Sequence, residues 1–303
     1  MDRKGFIKSS SLLFGSAIMS SSVSAIPLSM VSSNANKLKI GVSYYMIKED
    51  LSLLDKLKLV KDLGFDGVEF NSPVDFSIDE LLNAKNKSGI EIPSLVNKDH
   101  WSKPLSDPDS AVRNFTIASV AKSLQETKEL GGDTVLVVPG VVNEKVSYQQ
   151  AYNNALDSMR KLIPYVERTG IKIGIENVWN NFLISPVEAK AFLDAIDHPL
   201  IGWYFDIGNV LRYGWPEQWI EILGKHIFKL HAKEFSRAKM NDQGLWKGFD
   251  VELLEGDVDW KLVMQTLHNV GYNGGWLTSE LGGGDRAYLK KVAIQMDKIV
   301  QLY

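Results

Sequence analysis

The sequence predicts an α/β fold built as a single (β/α)8 barrel. Short, nearly continuously apolar segments alternate with segments of helical spacing, eight such units follow one another, and they fill about 265 residues, close to the ~250 typical of this barrel. Strands that are apolar along their whole length are expected where both faces of a parallel sheet are buried. A doubly wound sheet is the alternative, but it would usually show fewer units and a glycine-rich first turn.

The predicted strands are bounded by turn residues, and Gly89, Gly131 and Gly170 are stop signals directly after predicted helices. The predicted strands are 38–43, 67–70, 90–96, 133–138, 171–175, 201–205, 227–230 and 275–279. The predicted helices are 51–62, 77–88, 109–130, 147–169, 186–196, 216–223, 258–270 and 285–301, and residues 235–256 are predicted to be polar and irregular.

The beginning of the chain has the features of an export signal. Three cations precede a short apolar run at 12–19 and a small-residue cleavage pattern at 23–25. The stretch 2–8 is similar to a twin-arginine signal with Lys4 in place of the second arginine. The apolar run is too short to span a membrane, so we expect a periplasmic or otherwise exported protein with no stable membrane anchor after signal removal. The predicted organisation is a signal peptide at 1–25, a linker at 26–37 and the barrel domain at 38–303.

The composition excludes several classes of function. The 303 residues include no Cys, which rules out a disulfide framework, thiolate-bound zinc, Fe–S clusters and a Cys nucleophile. A formal net charge of −3 gives no general attraction to nucleic acid, so no nucleic-acid partner is expected. With five His in the chain, a site made of several histidines is not expected either.

Polar residues follow the last four predicted strands directly, where the active sites of such barrels lie. They are Glu176, Asp206, His231 and Glu280. For any one of them alone, a structural polar group at a strand end is the alternative. Together, three carboxylates and one imidazole at one rim make an oxygen-rich site for one divalent metal ion, with Mn²⁺, Mg²⁺ or Co²⁺ favoured and Zn²⁺ acceptable.

The motifs around these residues, taken in order, resemble the xylose isomerase-like TIM barrels, the sugar phosphate isomerase/epimerase group that includes the ketose 3-epimerases. They are Ile-Gly-Ile-Glu-Asn at 173–177, Phe-Asp-Ile-Gly-Asn at 205–209, His-Ala-Lys-Glu-Phe-Ser-Arg at 231–237 and Thr-Ser-Glu at 278–280. The resemblance covers residues 38–302 and implies that the four residues bind one divalent metal. It further implies that Glu176 and Glu280 also move protons.

Six further residues are candidates for binding substrate. The resemblance gives Arg237 a contact with substrate oxygens, with a surface role in an irregular loop as the alternative. The sequence differs from the ketose epimerases at Asn209, where they often carry a His. Asn209 can hydrogen-bond a sugar but cannot act as an acid or base near neutral pH. The other four are Glu69 (a sugar hydroxyl or a buried salt bridge), His100 and Trp179 (a pocket wall or packing), and Lys233 (a substrate oxygen or neutralisation of Glu234).

These observations indicate an enzyme that abstracts a proton next to the carbonyl of a small carbohydrate. Exported members of the family that this chain resembles are associated with oxidised sugars. We therefore expect an unphosphorylated keto-sugar as substrate and chemistry of the 3-keto-glycoside lyase or hydratase type. The alternatives are a sugar isomerase or epimerase and, from another class, a non-catalytic sugar-binding barrel. The related endonucleases of damaged DNA are excluded because the chain lacks their extra His ligands and basic surface. A homo-oligomer is compatible with the sequence.

Overall fold

The computed structural model describes residues 38–303, in which parallel strands alternate with helices. The strands are β1 Lys39–Ser43, β2 Gly67–Ser72, β3 Ser94–Asn97, β4 Thr134–Val137, β5 Lys172–Glu176, β6 Ile201–Asp206, β7 Ile227–Ala232 and β8 Trp276–Ser279. They lie around a closed barrel in sequence order, and β1 pairs with β8 to complete it. The predicted (β/α)8 barrel is therefore confirmed.

The helices begin and end at the residues that local chemistry favours. Ser52 and Ser77 each accept a hydrogen bond at a helix start from the backbone N–H three residues on, and Gly89 ends a helix with a φ of 69° that favours glycine. The helices are α1 Leu53–Asp62, α2 Ile78–Ser88, α3 Ser110–Leu130, α4 Tyr148–Thr169, α5 Pro186–Ile196, α6 Ile207–Val210, α7 Pro216–Leu223, α8 Arg237–Gln243, α9 Trp260–Asn269 and α10 Arg286–Val300.

Three stretches differ from the prediction. The third strand begins at Ser94 and not at 90, since Pro93 has no N–H to give to the sheet. The short helix α6 directly after Asp206 was not predicted, because its four residues are too few to show a period. Residues 235–256 are not wholly irregular, since they contain α8 and a 3₁₀ turn at Leu245–Phe249.

The register of the strands brings the predicted site residues to one rim. Asp206 on β6 lies opposite His231 on β7, and His231 lies opposite Thr278 on β8. Glu176 is the last residue of β5, and Glu280 directly follows β8. Since parallel strands end at the same face of the barrel, these side chains share one end of it.

The predicted signal peptide at 1–25 and linker at 26–37 lie outside the described residues. The described residues 38–303 belong to one compact unit. Within residues 38–303 no helix is both long enough and apolar enough to cross a membrane.

Candidate metal and sugar site

The structure brings Glu176, Asp206, His231 and Glu280 together. Each offers one potential ligand atom, and these four atoms all lie within 4.8 Å of one another. Asp206 and His231 are almost fully buried, whereas the side chain of Glu280 is 24% exposed and borders the cavity above the barrel. The cluster therefore combines buried donor atoms with an opening to solvent, as a site for a metal and a small substrate requires.

The ring of His231 is fixed by contacts on both nitrogens. Nδ1 lies 3.1 Å from Glu176 Oε1 and 3.0 Å from Glu280 Oε2. Nε2 lies 3.0 Å from Glu69 Oε1, and the other oxygen of Glu69 accepts a 2.6 Å hydrogen bond from the Tyr204 hydroxyl. A carboxylate behind the imidazole orients the ring, which leaves Nδ1 as the atom that faces the cluster.

Glu69 thus holds His231, with its side chain 1% exposed, and this is the buried ion pair considered from the sequence. Glu69 also borders a smaller cavity with Tyr45 and Glu280, and its contact with a sugar hydroxyl stays a prediction. Its carboxylate also accepts a hydrogen bond from Ser94 Oγ at 3.0 Å, so three neighbours fix its position.

Lys233 lies inside the cluster. Its Nζ is 2.9 Å from Asp206 Oδ2 and 2.7 Å from Glu280 Oε2. Those two buried oxygens accept no hydrogen bond of good geometry, although the ammonium neutralises their charge. Buried carboxylate oxygens without directional partners are a good fit to a divalent cation, which needs charge and oxygen donors rather than N–H donors. The donor set of three carboxylates and one imidazole fits such an ion.

The charges of the cluster move the pKa values of its two glutamates apart. Burial and the charge of Glu280 raise the pKa of Glu176 to about 7. Burial acts in the same direction on Glu280, but the charges of Lys233 and His231 outweigh it and hold the pKa of Glu280 far below its usual value. Burial disfavours the charged form of His231, yet the carboxylates of Glu69 and Glu280 raise its pKa well above the usual value. The protein on its own therefore balances the carboxylates with two cations, His231 and Lys233.

An asparagine that the sequence did not single out supports the site. Asn177 Oδ1 accepts hydrogen bonds from the backbone N–H of Asp206 at 3.0 Å and from Trp203 Nε1 at 3.1 Å. Asn177 Nδ2 donates to the carbonyl of Asp206 at 2.7 Å, and Asn209 Nδ2 donates to the carbonyl of Asn177 at 3.0 Å. Asn177 directly follows Glu176, so its place after a strand-end carboxylate is the signal that could have identified it.

A cavity of about 490 Å³ opens above the cluster. Of the predicted substrate-binding residues, Asn209, Lys233 and Trp179 line it. Its aromatic walls include Tyr45, Trp246 and Phe249, which the sequence did not single out because they lie in short 3₁₀ turns without a clear period, and Tyr288 on α10. The aromatic lining residues are Tyr45, Trp101, Trp179, Trp246, Phe249 and Tyr288.

Three predicted substrate-binding residues, Glu69, Arg237 and His100, do not line this cavity. Arg237 donates from Nε to the carbonyl of Leu211 at 2.9 Å and from Nη2 to that of Gly214 at 2.7 Å, so its guanidinium holds the loop after β6, and its contact with substrate stays a prediction. His100 is buried, and its Nδ1 accepts a 3.3 Å hydrogen bond from the backbone N–H of Val138.

Glu234 is not the partner of Lys233. Its carboxylate accepts hydrogen bonds from the backbone N–H groups of Leu254 and Val258 at 3.0 and 3.1 Å and from Trp260 Nε1 at 2.8 Å. Lys233 and Glu234 directly follow β7, where the side chains still alternate, so Lys233 lies on the same side as His231 and enters the cluster, whereas Glu234 is directed at the loop outside it.

The chain matches a known protein family along most of its length. The family model described as "Xylose isomerase-like TIM barrel" matches residues 57–295. The chain is 27% identical over 259 residues to the L-ribulose-5-phosphate 3-epimerase UlaE of Escherichia coli O157:H7, covering 80% of this chain and 87% of that protein.

Two solved structures share the fold at low sequence identity. A D-psicose 3-epimerase crystallised with D-fructose has a TM-score of 0.71 at 17% identity and covers 86% of this chain and 98% of its own. The 3-keto-D-glucoside 4-epimerase YcjR of E. coli has a TM-score of 0.70 at 17% identity and covers 88% of this chain and 100% of its own.

Proposed function

The chain belongs to the xylose isomerase-like TIM barrel family, and from that premise we propose that it is a divalent-metal-dependent epimerase of unphosphorylated keto-sugars. The observation that carries the proposal is the cluster at the rim of the barrel. Two glutamates that can exchange protons, Glu176 and Glu280, lie there with Asp206 and Nδ1 of His231, and all four donor atoms are within 4.8 Å of one another.

The residues of the cluster would hold the metal ion, and the two glutamates would also transfer protons. Glu176, Asp206, His231 and Glu280 would hold the ion, with Glu69 fixing the imidazole. A bound divalent cation would polarise the sugar carbonyl and acidify the neighbouring C–H. One of the two glutamates takes the proton from the carbon beside the carbonyl, and the other returns a proton to the opposite face of the same carbon. That exchange inverts the carbon.

The comparisons favour epimerisation over the lyase or hydratase chemistry expected from the sequence. UlaE, the D-psicose 3-epimerase and YcjR are all epimerases by name. Elimination would begin with the same proton abstraction but would also need a group to leave from the β carbon. The expected lyase or hydratase activity stays a prediction, and the alternative considered from the sequence, a sugar isomerase or epimerase, has the better support.

The chemistry around the last strand supports an unphosphorylated substrate. Barrels of this type frequently bind phosphate at the loops after strands seven and eight, beside a helix N-terminus. Here the first N–H groups of α10 already donate to carboxylates, Arg286 N to Glu49 Oε1 at 2.7 Å and Tyr288 N to Asp285 Oδ1 at 3.0 Å. Among the described residues that line the cavity, Lys233 has the one cationic side chain, and it is paired with two carboxylates. The export predicted from residues 1–25 would agree with such a substrate.

Incubation in D₂O tests the proposal. Purified protein with Mn²⁺ is incubated with D-psicose, L-ribulose, L-ribulose 5-phosphate and a 3-keto-glucoside, and deuterium at the carbons next to the carbonyl is followed by NMR together with the formation of epimers. We expect an epimer that carries deuterium from at least one unphosphorylated sugar. Deuterium uptake with loss of a substituent would instead support lyase chemistry, and no exchange with any substrate would contradict the proposal.

A further inference from the structure

One wall of the cavity is a preformed aromatic surface beyond the cluster. Trp179 packs with its ring centroid 4.9 Å from that of Trp246 and 4.9 Å from that of Phe249. Trp179 is itself fixed, because its Nε1 donates a 2.9 Å hydrogen bond to the carbonyl of Asn209. Trp246 and Phe249 belong to the 3₁₀ turn at Leu245–Phe249, so this wall is built by the segment between β7 and α9.

The aromatic side chains at the mouth of the cavity are unusually open to solvent. Trp246 is 69% exposed, Trp101 is 51% exposed and Tyr45 is 42% exposed, and all three line the same cavity. A single exposed aromatic residue needs no explanation, but several that border one cavity mark a surface that a ligand covers. The same cavity is lined by Lys233 and Glu280, so it runs continuously from Glu280, one of the two proposed proton-transfer residues, to Trp246.

The size of the cavity points to a ligand of more than one ring. Its volume of about 490 Å³ lies in the range for drug-sized ligands, ~300–1,000 Å³. A monosaccharide whose carbonyl lies beside Glu280 would leave the part at Trp246 unfilled. The ring faces of pyranoses carry C–H groups that pack against indole faces, as do aromatic rings, while the hydroxyls remain in water.

We propose that Trp246, which packs on Trp179, provides a second subsite that binds the aglycone or second sugar ring of a keto-glycoside while its oxidised ring lies at the cluster. This rests on the proposed function, since it assigns a substrate class to the same site. Trp246 is then a specificity-determining residue. It favours glycosides over free ketoses and takes no part in the proton transfer.

The test compares two substrates across three variants. The first substrate, para-nitrophenyl 3-keto-β-D-glucoside, fills both subsites, and the second, D-psicose, fills the reacting subsite alone. In the full chain with Mn²⁺, Trp246→Ala should lower kcat/KM for the glycoside about tenfold and leave that for D-psicose within twofold, and Trp246→Phe should recover part of the loss. The matched control is Trp215→Ala, another exposed tryptophan (54%) that does not line the cavity, and it should change neither value. Equal effects of Trp246→Ala on both substrates, or none on either, would overturn the inference.

A binding measurement separates the subsite from the reaction. The unreactive para-nitrophenyl β-D-glucoside has no carbonyl, so its affinity is measurable by calorimetry even if the protein epimerises nothing. Binding that Trp246→Ala weakens about tenfold supports the subsite whether or not the proposed function holds. Absent binding, or binding that does not depend on Trp246, overturns the subsite and leaves the epimerase proposal intact.

Discussion

Replacement of Lys233 by Met tests whether the ammonium and a divalent cation compete for the same oxygens. Lys233 Nζ lies 2.9 Å from Asp206 Oδ2 and 2.7 Å from Glu280 Oε2, and its own side chain is 19% exposed. Breaking a buried ion pair by removing one partner typically costs about 3–5 kcal/mol, because the remaining charge is left uncompensated. We expect the metal-free Lys233→Met protein to lose stability by about that amount at pH 7.5, measured by urea unfolding in the presence of a chelator.

The same substitution should strengthen metal binding. In the wild type, an incoming cation must displace the ammonium from Asp206 and Glu280. If about a third of the free energy of the ion pair, about 1.4 kcal/mol, opposes metal binding, its removal should lower the dissociation constant for Mn²⁺ about tenfold. Calorimetric titration with Mn²⁺ measures this change directly, without reference to catalysis.

A surface lysine provides the control. Lys247 pairs with Asp250 at 2.6 Å, and both side chains are 56% exposed, so water screens the pair and Lys247→Met should leave both the stability and the Mn²⁺ affinity nearly unchanged. If Lys233→Met changes stability as little as Lys247→Met and leaves the Mn²⁺ affinity unchanged or weaker, the competition between ammonium and metal is refuted.

Three further predictions follow from buried groups near the site. Burial lowers the pKa of His100 to about 4, below its unfolded value, so protonation of the unfolded state gives His100 a destabilising contribution of about 2 kcal/mol between pH 7.5 and pH 5. In urea unfolding, wild type and His100→Gln should therefore differ in their pH dependence by that amount. Glu234→Gln replaces an acceptor oxygen with a donor, so it should cost about 1–3 kcal/mol and expose the loop bearing Trp246 to proteolysis. Glu69→Gln weakens the hold on His231 and should lower Mn²⁺ affinity about 10–100-fold by calorimetry. The first prediction is contradicted if His100→Gln keeps the pH dependence of the wild type. The second is contradicted if Glu234→Gln resists protease as the wild type does, and the third if Glu69→Gln binds Mn²⁺ with unchanged affinity.

The cluster was predictable because it depends on topology. In a barrel of parallel strands, a polar residue directly after an apolar strand lies at one rim whatever the loops do, which is why Glu176, Asp206, His231 and Glu280 meet. The position of Lys233 was not predicted, since the sequence offered a substrate oxygen or Glu234 as its partner, whereas its Nζ lies between Asp206 and Glu280.

The walls of the cavity were not predictable in the same way. Trp246 and Tyr45 lie in segments whose path is set by tertiary contacts, such as the four hydrogen bonds that Glu234 accepts. Arg237 was assigned to substrate by resemblance to a motif, but the carbonyls of the neighbouring loop take its guanidinium. Which acceptor a long side chain reaches depends on the fold of a loop that the sequence pattern left irregular.

Proton exchange by single-glutamate variants tests the central claim most directly. Glu176→Gln and Glu280→Gln are each incubated in D₂O with Mn²⁺ and, in turn, with each of the two epimers that the wild type interconverts. If the two glutamates act on opposite faces of one carbon, each variant should lose net epimerisation by at least about a thousandfold. Each should also keep deuterium exchange with one epimer and lose it with the other, the retained epimer being opposite in the two variants. Exchange of both epimers by either variant, or retained epimerisation, would contradict the account.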